Sequence, residues 1–124
     1  MGLYTGIAQD NLKINSGQAS NFTLNTVKST APVTKTASFT LAATENFVVC
    51  NGAGSIAVTL PTASANAGHV VTIKTIASQT VVSASSNVKP VDSNTAGTAI
   101  LAGTAGKWAT LVCDGTNWVV MAAG

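Results

Sequence analysis

The stretch SIAVTLPTASANAGHVVTIKTI, residues 55–76, holds two strand-like segments around a turn-rich middle. In the first segment, Ile56 and Val58 alternate with smaller or polar residues, which is the period expected of a half-buried strand. The last segment, VVTIKTI, is rich in β-branched residues, which suit a pleated surface. Pro61 lacks a backbone N–H and ends the first strand. Gly68 is expected in the left-handed conformation after a single helical turn.

The same pattern recurs along the chain. Short apolar runs are bounded by Gly, Asn, Ser or Pro at intervals of about 8–12 residues, which is typical of a sandwich or barrel. The pattern predicts strands near residues 37–42, 46–50, 55–60, 69–76, 79–84, 98–102, 107–113 and 117–122. We therefore expect an all-β fold, a small antiparallel sandwich or barrel-like domain of short strands over residues 36–124.

Turn-forming residues predict where the chain reverses. Asn51-Gly52 is a strong hairpin signal because both residues tolerate positive φ. The glycine-containing stretch at residues 102–107 is interpreted as a second hairpin turn. In the final DGTN turn, the Asp114 side chain is expected to bond the backbone two residues on, and Gly115 to supply a positive φ. This last hairpin is expected to close the β-domain.

The two tryptophans flank that last hairpin. Trp118 begins the return strand, where its ring is expected to be buried in the core or against a second copy of the chain. Trp108 and Trp118 could together form a stacking platform for sugars or bases. Because they lie on adjacent predicted strands, packing across the hairpin is the favoured interpretation.

Residues 1–35 have a different pattern from the rest. Their apolar residues come in isolated groups separated by polar residues, and no run reaches the density seen after residue 36. We interpret this segment as an extended N-terminal arm that lies on another protein or exchanges between subunits, because exposed apolar residues on an isolated arm would be a liability. Leu3, Tyr4 and Ile7 are the candidate docking residues. The alternative is that the segment adds strands to its own domain.

The composition argues against several classes of partner. Charged residues make up 8% of the chain, against about 25% in a typical globular protein. The six basic residues are all lysines and are scattered, whereas binding to a nucleic-acid backbone needs several cations on one face. No apolar run approaches the length of a membrane span. We expect neither nucleic-acid nor membrane binding, and a neutral Ser/Thr/Asn surface suited to contact with other proteins.

The titratable residues of the sequence do not predict a catalytic or metal-binding site. The carboxylates are Asp10, Glu45, Asp92 and Asp114. No two of them are close in sequence, and ordinary turn positions account for the last three, with Glu45 expected at a hairpin tip. A single histidine, His69, cannot form a zinc site with other histidines. We expect no catalytic residues, no metal and no cofactor, and hence a protein that is not an enzyme.

Cys50 and Cys113 each lie in an apolar run. A pairing of either thiol with His69 would resemble a catalytic dyad, but a lightly packed histidine at a strand start is the ordinary case. The chain begins without the basic start and apolar core of a signal peptide, so we expect folding in a reducing cytosol. Two buried thiols are favoured over a disulfide bond, which would require neighbouring strands.

Several of these motifs occur together in one known family. Thr59-Leu60-Pro61, Gly68, Val71–Lys74 and Asp114–Trp118 follow one another in the order and spacing of a β-structured module of tailed-bacteriophage virion proteins. The chain resembles this module over roughly residues 36–122. Members of the family occur in tail fibres, head fibres and capsid decoration proteins, usually as homotrimers.

The resemblance implies a virion structural protein without catalysis. Fibre proteins of the family carry the module at the end of a much longer chain, whereas about 35 residues precede it here. A capsid decoration, or cement, protein is therefore expected. It would be made in the host cytoplasm, form a homotrimer, bind the major capsid protein and lie on the outer surface of the virion. The alternative is a short head-fibre or tail-fibre tip that binds a host surface glycan.

Overall fold

The computed structural model describes residues 30–124. Most of the predicted arm, including Leu3, Tyr4 and Ile7, lies outside the described residues. The ten strands are β1 Val33–Lys35, β2 Phe39–Thr40, β3 Phe47–Cys50, β4 Ile56–Thr59, β5 Val70–Thr75, β6 Val81–Ser83, β7 Val88–Lys89, β8 Ala99–Leu101, β9 Trp108–Cys113 and β10 Trp118–Ala123. A short 3₁₀-helix, Ala63–Ala65, follows β4. The prediction of an all-β fold is confirmed.

The strands form two facing sheets. The six-stranded sheet has the order β1-β3-β5-β9-β10-β7, and the four-stranded sheet has the order β2-β4-β6-β8. From β1 to β8 the chain therefore crosses to the other sheet at every connection. The pairs β1–β3, β3–β5, β2–β4 and β4–β6 are all parallel. We call β1 to β6, residues 33–83, the parallel stack.

The expectation of an antiparallel domain is wrong for this stack. Both sheets are mixed, because each successive coil of the chain places its strands beside those of the coil before, running in the same direction. Antiparallel pairing is confined to β9 with β5 and β10, and to β6 with β8, apart from one isolated bridge between Val88 and Gly97. Alternation of apolar residues identifies a half-buried strand, but it does not distinguish parallel from antiparallel neighbours.

Asn51-Gly52 is a corner between the two sheets and not a hairpin. The N–H of Asn51 donates to the Lys35 carbonyl at 2.8 Å, which ties this corner to the previous coil. The Gly52 N–H donates to the Gln79 side-chain oxygen. A Cβ atom on Gly52 would lie 2.5 Å from the Thr36 carbonyl oxygen, so close approach of the backbone is what requires glycine here.

Two other expected hairpin turns are also corners. Glu45 lies between β2 and β3, and residues 102–107 lie between β8 and β9, and in each case the two strands belong to different sheets. The final turn is a hairpin: β9 and β10 are antiparallel neighbours, the Asp114 N–H donates to the Asn117 carbonyl at 2.9 Å, and Gly115 has φ +94°.

All eight strands predicted from the sequence are present, and β1 and β7 were not predicted. Residues 33–35 fall inside the predicted arm, and they pair with β3 as the edge of the six-stranded sheet. The core lies between the two sheets. Its buried apolar residues are Leu41, Val48, Cys50, Ile56, Val58, Leu60, Val71, Ile73, Val81, Val88, Leu101, Ala109, Leu111, Cys113, Trp118 and Val120.

Candidate association surfaces

Trp118 joins the final hairpin to the corner after β4. Its ring is fully buried, and its Nε1–H donates to the Pro61 carbonyl at 3.1 Å. The His69 ring meets it edge-on, with centroids 5.3 Å apart. Gly68, with φ +88°, precedes His69, and its N–H donates to the Cys113 carbonyl at 2.8 Å. These motif residues thus hold one end of the sandwich together.

Trp108 lies on the opposite face of the six-stranded sheet from Trp118. It is 37% exposed and pairs with Lys74, whose side chain also faces outward. The expectation that the two tryptophans pack across the hairpin is wrong, because the register gives them opposite parity along β9 and β10. They do not share a stacking platform. The exposed Trp108 ring instead lies against the backbone of Gly124.

The titratable groups are engaged in local contacts. The Asp114 carboxylate accepts the N–H groups of Asn117 and Thr116, which lower its pKa below the usual range. The Ala42 N–H, and secondarily Lys35, lower the pKa of Glu45. Lys35 and Glu45 form an ion pair at 2.9 Å.

The thiols and the imidazole have separate partners. Cys50 and Cys113 are buried and unbridged. Burial raises the pKa of the Cys50 thiol to about 11, which keeps it protonated and unreactive at neutral pH. The Cys113 thiol donates to the Ala63 carbonyl at 3.3 Å, while His69 Nε2 lies 2.9 Å from the Glu45 carbonyl oxygen. Because that carbonyl only accepts, Nε2 carries the proton, and neither contact is a nucleophile–base pair.

Within residues 30–124 no group of three His, Cys, Asp or Glu side chains is arranged to hold a metal ion. In the same range, none of the helices has the length and apolar character needed to cross a membrane.

The first candidate surface is the outer face of the six-stranded sheet, which we call the outer face. Buried and more exposed residues alternate along β3, β5, β9 and β10, and the more exposed ones, which point away from the core, form this face. They are exposed or half-buried, and they comprise Phe47, Val49, Val70, Thr72, Lys74, Trp108, Thr110, Val112, Val119 and Ala122. A solvated sheet face normally carries polar residues at these alternate positions.

The outer face is more apolar than its composition alone indicates. The Thr72 and Thr110 hydroxyls, neighbours across β5 and β9, lie 2.9 Å apart and hydrogen-bond each other. This bond satisfies part of the hydrogen-bonding capacity of both hydroxyls within the protein. The carboxylates of the described residues, Glu45, Asp92 and Asp114, all lie in loops, so within residues 30–124 this face carries one lysine, Lys74, and no acid.

The second candidate surface lies beside β7 and β8, the terminal strands of their sheets. Three adjoining depressions of about 530, 320 and 300 Å³ run along β10 and share lining residues. We call them the edge groove, lined by residues 89–94, 99–102, 107–108, 119–121 and 123–124. Val91 and Met121 are 62% and 64% exposed, the largest exposures among the large apolar side chains of the described residues.

Sequence reasoning did not identify either surface. The sequence signal for the outer face was the Val and Thr at the outward positions of β5, β9 and β10. These residues indicated only that the segments favour β-strands. Met121 is exposed by a bulge between Val120 and Ala122, which shifts the register against β9. That irregularity has no signature in the sequence.

No protein-family model, curated protein or solved structure matches this chain. The functional proposal therefore depends on these two surfaces and on the motifs of the chain itself.

Proposed function

We propose that this protein is a structural component of a bacteriophage virion, a decoration protein that binds the outer surface of the assembled capsid as a homotrimer. The role is structural and involves no catalysis. It is made in the host cytoplasm, and its partners are its own copies and the major capsid protein.

The outer face is the observation that most directly supports this role. The strands β1, β3 and β5 pair in parallel, and parallel sheets are ordinarily covered on both faces. Here one face packs on the core while the other presents Val, Thr and Phe side chains. Such a neutral surface can be buried between protein subunits without the desolvation cost of ionised groups. It thus favours permanent contact with protein over free exposure to water.

The motif resemblance supplies the setting. The order of Thr59-Leu60-Pro61, Gly68 and Asp114–Trp118 resembles that of the phage virion module. A protein that bridges neighbouring capsid subunits binds the assembled shell and not the free subunits. Mass action then shifts the equilibrium toward the shell, which is the stabilising mechanism we propose.

The experiment is binding of the purified full-length chain to capsids that lack it, followed by heating. Val112→Lys places a charge in the middle of the outer face, and Thr59→Lys places the same charge on the exposed side of the four-stranded sheet as a matched control. A third variant replaces Leu3, Tyr4 and Ile7 with serine. Circular dichroism checks that each variant is folded.

We expect the parent and the control to bind and to raise the heat resistance of the capsids. Val112→Lys should weaken capsid binding or trimer formation, which light scattering distinguishes. Loss of binding in the triple serine variant would assign the arm to capsid docking. If the parent chain does not bind capsids, the decoration role is wrong.

Trp108 favours a second candidate, a short head-fibre or tail-fibre tip that binds a host glycan. Its exposed ring and Lys107 line the 300 Å³ part of the edge groove, so an aromatic face lies beside a hydrogen-bond donor. Aromatic faces of this kind stack on sugar rings. A glycan array probed with the parent and with Trp108→Ala tests this role: binding by the parent that the variant loses would favour the fibre tip over the decoration protein.

A further inference from the structure

The chain contains a single Asn-Gly pair, Asn51-Gly52, at the corner between β3 and β4. Asparagine loses its side-chain amide most readily before glycine, because glycine has no side chain to keep its backbone nitrogen away from the preceding residue. The close approach of the Thr36 carbonyl excludes a larger residue at position 52. The corner therefore holds a chemically labile pair whose glycine the packing requires.

Deamidation at this pair would proceed through the Gly52 nitrogen. Hydroxide removes the N–H proton, and the nitrogen attacks Cγ of Asn51 to form a cyclic imide. The bond from Cγ to the side-chain nitrogen breaks, and that nitrogen takes a proton from water and leaves as ammonia. Water then opens the imide to aspartate or to isoaspartate, which carries an extra methylene in the backbone. The reaction thus requires a Gly52 nitrogen that is free to move toward Asn51.

The fold withholds this nitrogen. The Gly52 N–H donates to Oε1 of Gln79, a side chain that is only 3% exposed. The Asn51 N–H donates to the Lys35 carbonyl at 2.8 Å, so the backbone is held on both sides of Asn51. Lys35 belongs to the preceding coil and Gln79 to the following one. The nitrogen therefore becomes free only when the corner opens away from its neighbours.

The Gln79 amide is committed to this contact. Within residues 30–124 its Nε2 is buried and has no hydrogen-bond partner. Reversing the amide would point Nε2 at the Gly52 N–H, so that two donors would face each other and the bond would be lost. The orientation is therefore fixed by Gly52. Among the described residues, the hydrogen bonding of this side chain is directed at Gly52 alone.

We propose that Asn51 is a latent deamidation site and that Gln79 protects it by holding the Gly52 N–H. In the folded protein Asn51 keeps its amide although its side chain is exposed to water. Opening of the corner releases the Gly52 nitrogen, and the reaction then turns a neutral corner into an acidic one irreversibly. The proposal concerns the free protein and does not depend on binding to a capsid.

Peptide mapping by mass spectrometry, during incubation at mildly alkaline pH, measures the loss of the Asn51 amide. The folded parent is expected to lose it at least about tenfold more slowly than the parent in urea. Gln79→Met should lose it about two- to tenfold faster than the folded parent, the factor by which one hydrogen bond shifts an opening equilibrium. Methionine is of similar length and removes the unpaired Nε2 together with the acceptor, so this variant is expected to fold.

Ser83→Ala is the matched control. Ser83 is also 3% exposed, and its hydroxyl donates to the Asn87 side-chain oxygen at 2.6 Å, at the opposite end of β6 from Gln79. The control removes a buried hydrogen bond without touching Gly52 and should deaminate Asn51 at the parental rate. If Gln79→Met reacts no faster than the parent, or no faster than Ser83→Ala, the protective role of Gln79 is wrong.

Hydrogen exchange at the Gly52 amide tests the proposal without any variant. In the parent this amide should exchange at least about tenfold more slowly than an unstructured amide, because exchange and deamidation both require the N–H to leave Gln79. Exchange at the unstructured rate would overturn the proposal.

The aged protein tests what the protection preserves. Isoaspartate lengthens the backbone at residue 51 and should break the contacts with Lys35 and Gln79. The isoaspartate fraction is therefore expected to melt at a lower temperature than Asn51→Asp, which carries the same charge without the extra methylene. Equal melting temperatures would contradict the inference that these two contacts hold the corner closed.

Discussion

The parallel stack, residues 33–83, and the closing hairpin, residues 108–123, build the same six-stranded sheet by different routes. In the hairpin, β9 and β10 pair directly across a four-residue turn. In the stack, Val33 pairs with Val48 and Val48 with Ile73, each after a full coil of chain through the other sheet. The hairpin is therefore specified locally, whereas the stack depends on contacts between successive corners.

The largest expected effect is on the contact that joins the two regions. Trp118→Ala removes a fully buried ring of the hairpin and its hydrogen bond to Pro61 in the stack. The free energy of unfolding should fall by about 3–5 kcal/mol, measured by urea denaturation. Trp118→Phe is the control: it keeps most of the ring volume and should cost less. A mutant as stable as the parent would mean that the hairpin and the stack are not coupled through this ring.

The next effect is within the stack. Gly52→Ala places a Cβ 2.5 Å from the Thr36 carbonyl oxygen, so the corner must shift. We expect a loss of about 1–3 kcal/mol, the cost of overpacking at a close contact. Gly54→Ala in the same corner is the control, because its Cβ would have nothing within 4 Å. Equal melting temperatures of the two variants would show that the corner does not restrain the stack.

The matching change in the hairpin should cost less. Gly115 has φ +94°, and its Cβ would meet only Ala67, at an ordinary 3.6 Å. Gly115→Ala should therefore cost only backbone strain, about 1–2 kcal/mol, without a clash. Thermal unfolding of this variant beside Gly52→Ala measures the difference. If Gly115→Ala lowered the free energy of unfolding more than Gly52→Ala, the stack would not be the region that depends more on distant contacts.

The smallest effect is on pH dependence. Asp114 in the hairpin and Glu45 in the stack both have a pKa lowered by backbone N–H donors. A carboxyl with a lowered folded-state pKa contributes stability above its unfolded pKa, near 4, and loses it as the pH falls through the folded value. Stability should decline below about pH 5. Asp114→Asn and Glu45→Gln should each flatten the decline, as measured by denaturation from pH 6 to pH 3. An unchanged slope in either variant would contradict the role of that carboxyl.

The two regions were not equally predictable. The final hairpin followed from Asp114 and Gly115, because turn chemistry acts over four residues. Asn51-Gly52 has equally strong turn chemistry and yet forms a corner, because its conformation is decided by Thr36 and Gln79 in neighbouring coils. The strands β1 and β7 went unpredicted because each lies beside a proline and outside any longer alternating run. The equally short β2 was predicted because it lies within such a run, residues 37–42.

The candidate surfaces were less predictable than the strands. The alternation of apolar residues placed Val112 and Val119 on strands. It could not show that their outward side is left uncovered by the rest of the described chain. Packing of Trp108 across the hairpin was predicted because it and Trp118 lie on adjacent strands. Its true face depends on the register of β9 against β5, where it pairs with Lys74.

The sequence by itself determined the all-β class, eight of the ten strand positions, the final turn and the neutral character of the surface. These properties depend on side-chain period, turn chemistry and composition, which act over a few residues. Only the tertiary structure decided which strands are parallel, that Trp108 faces outward, and that an apolar sheet face and the edge groove are exposed. Those outcomes depend on the register between residues distant in sequence, which local periodicity does not encode.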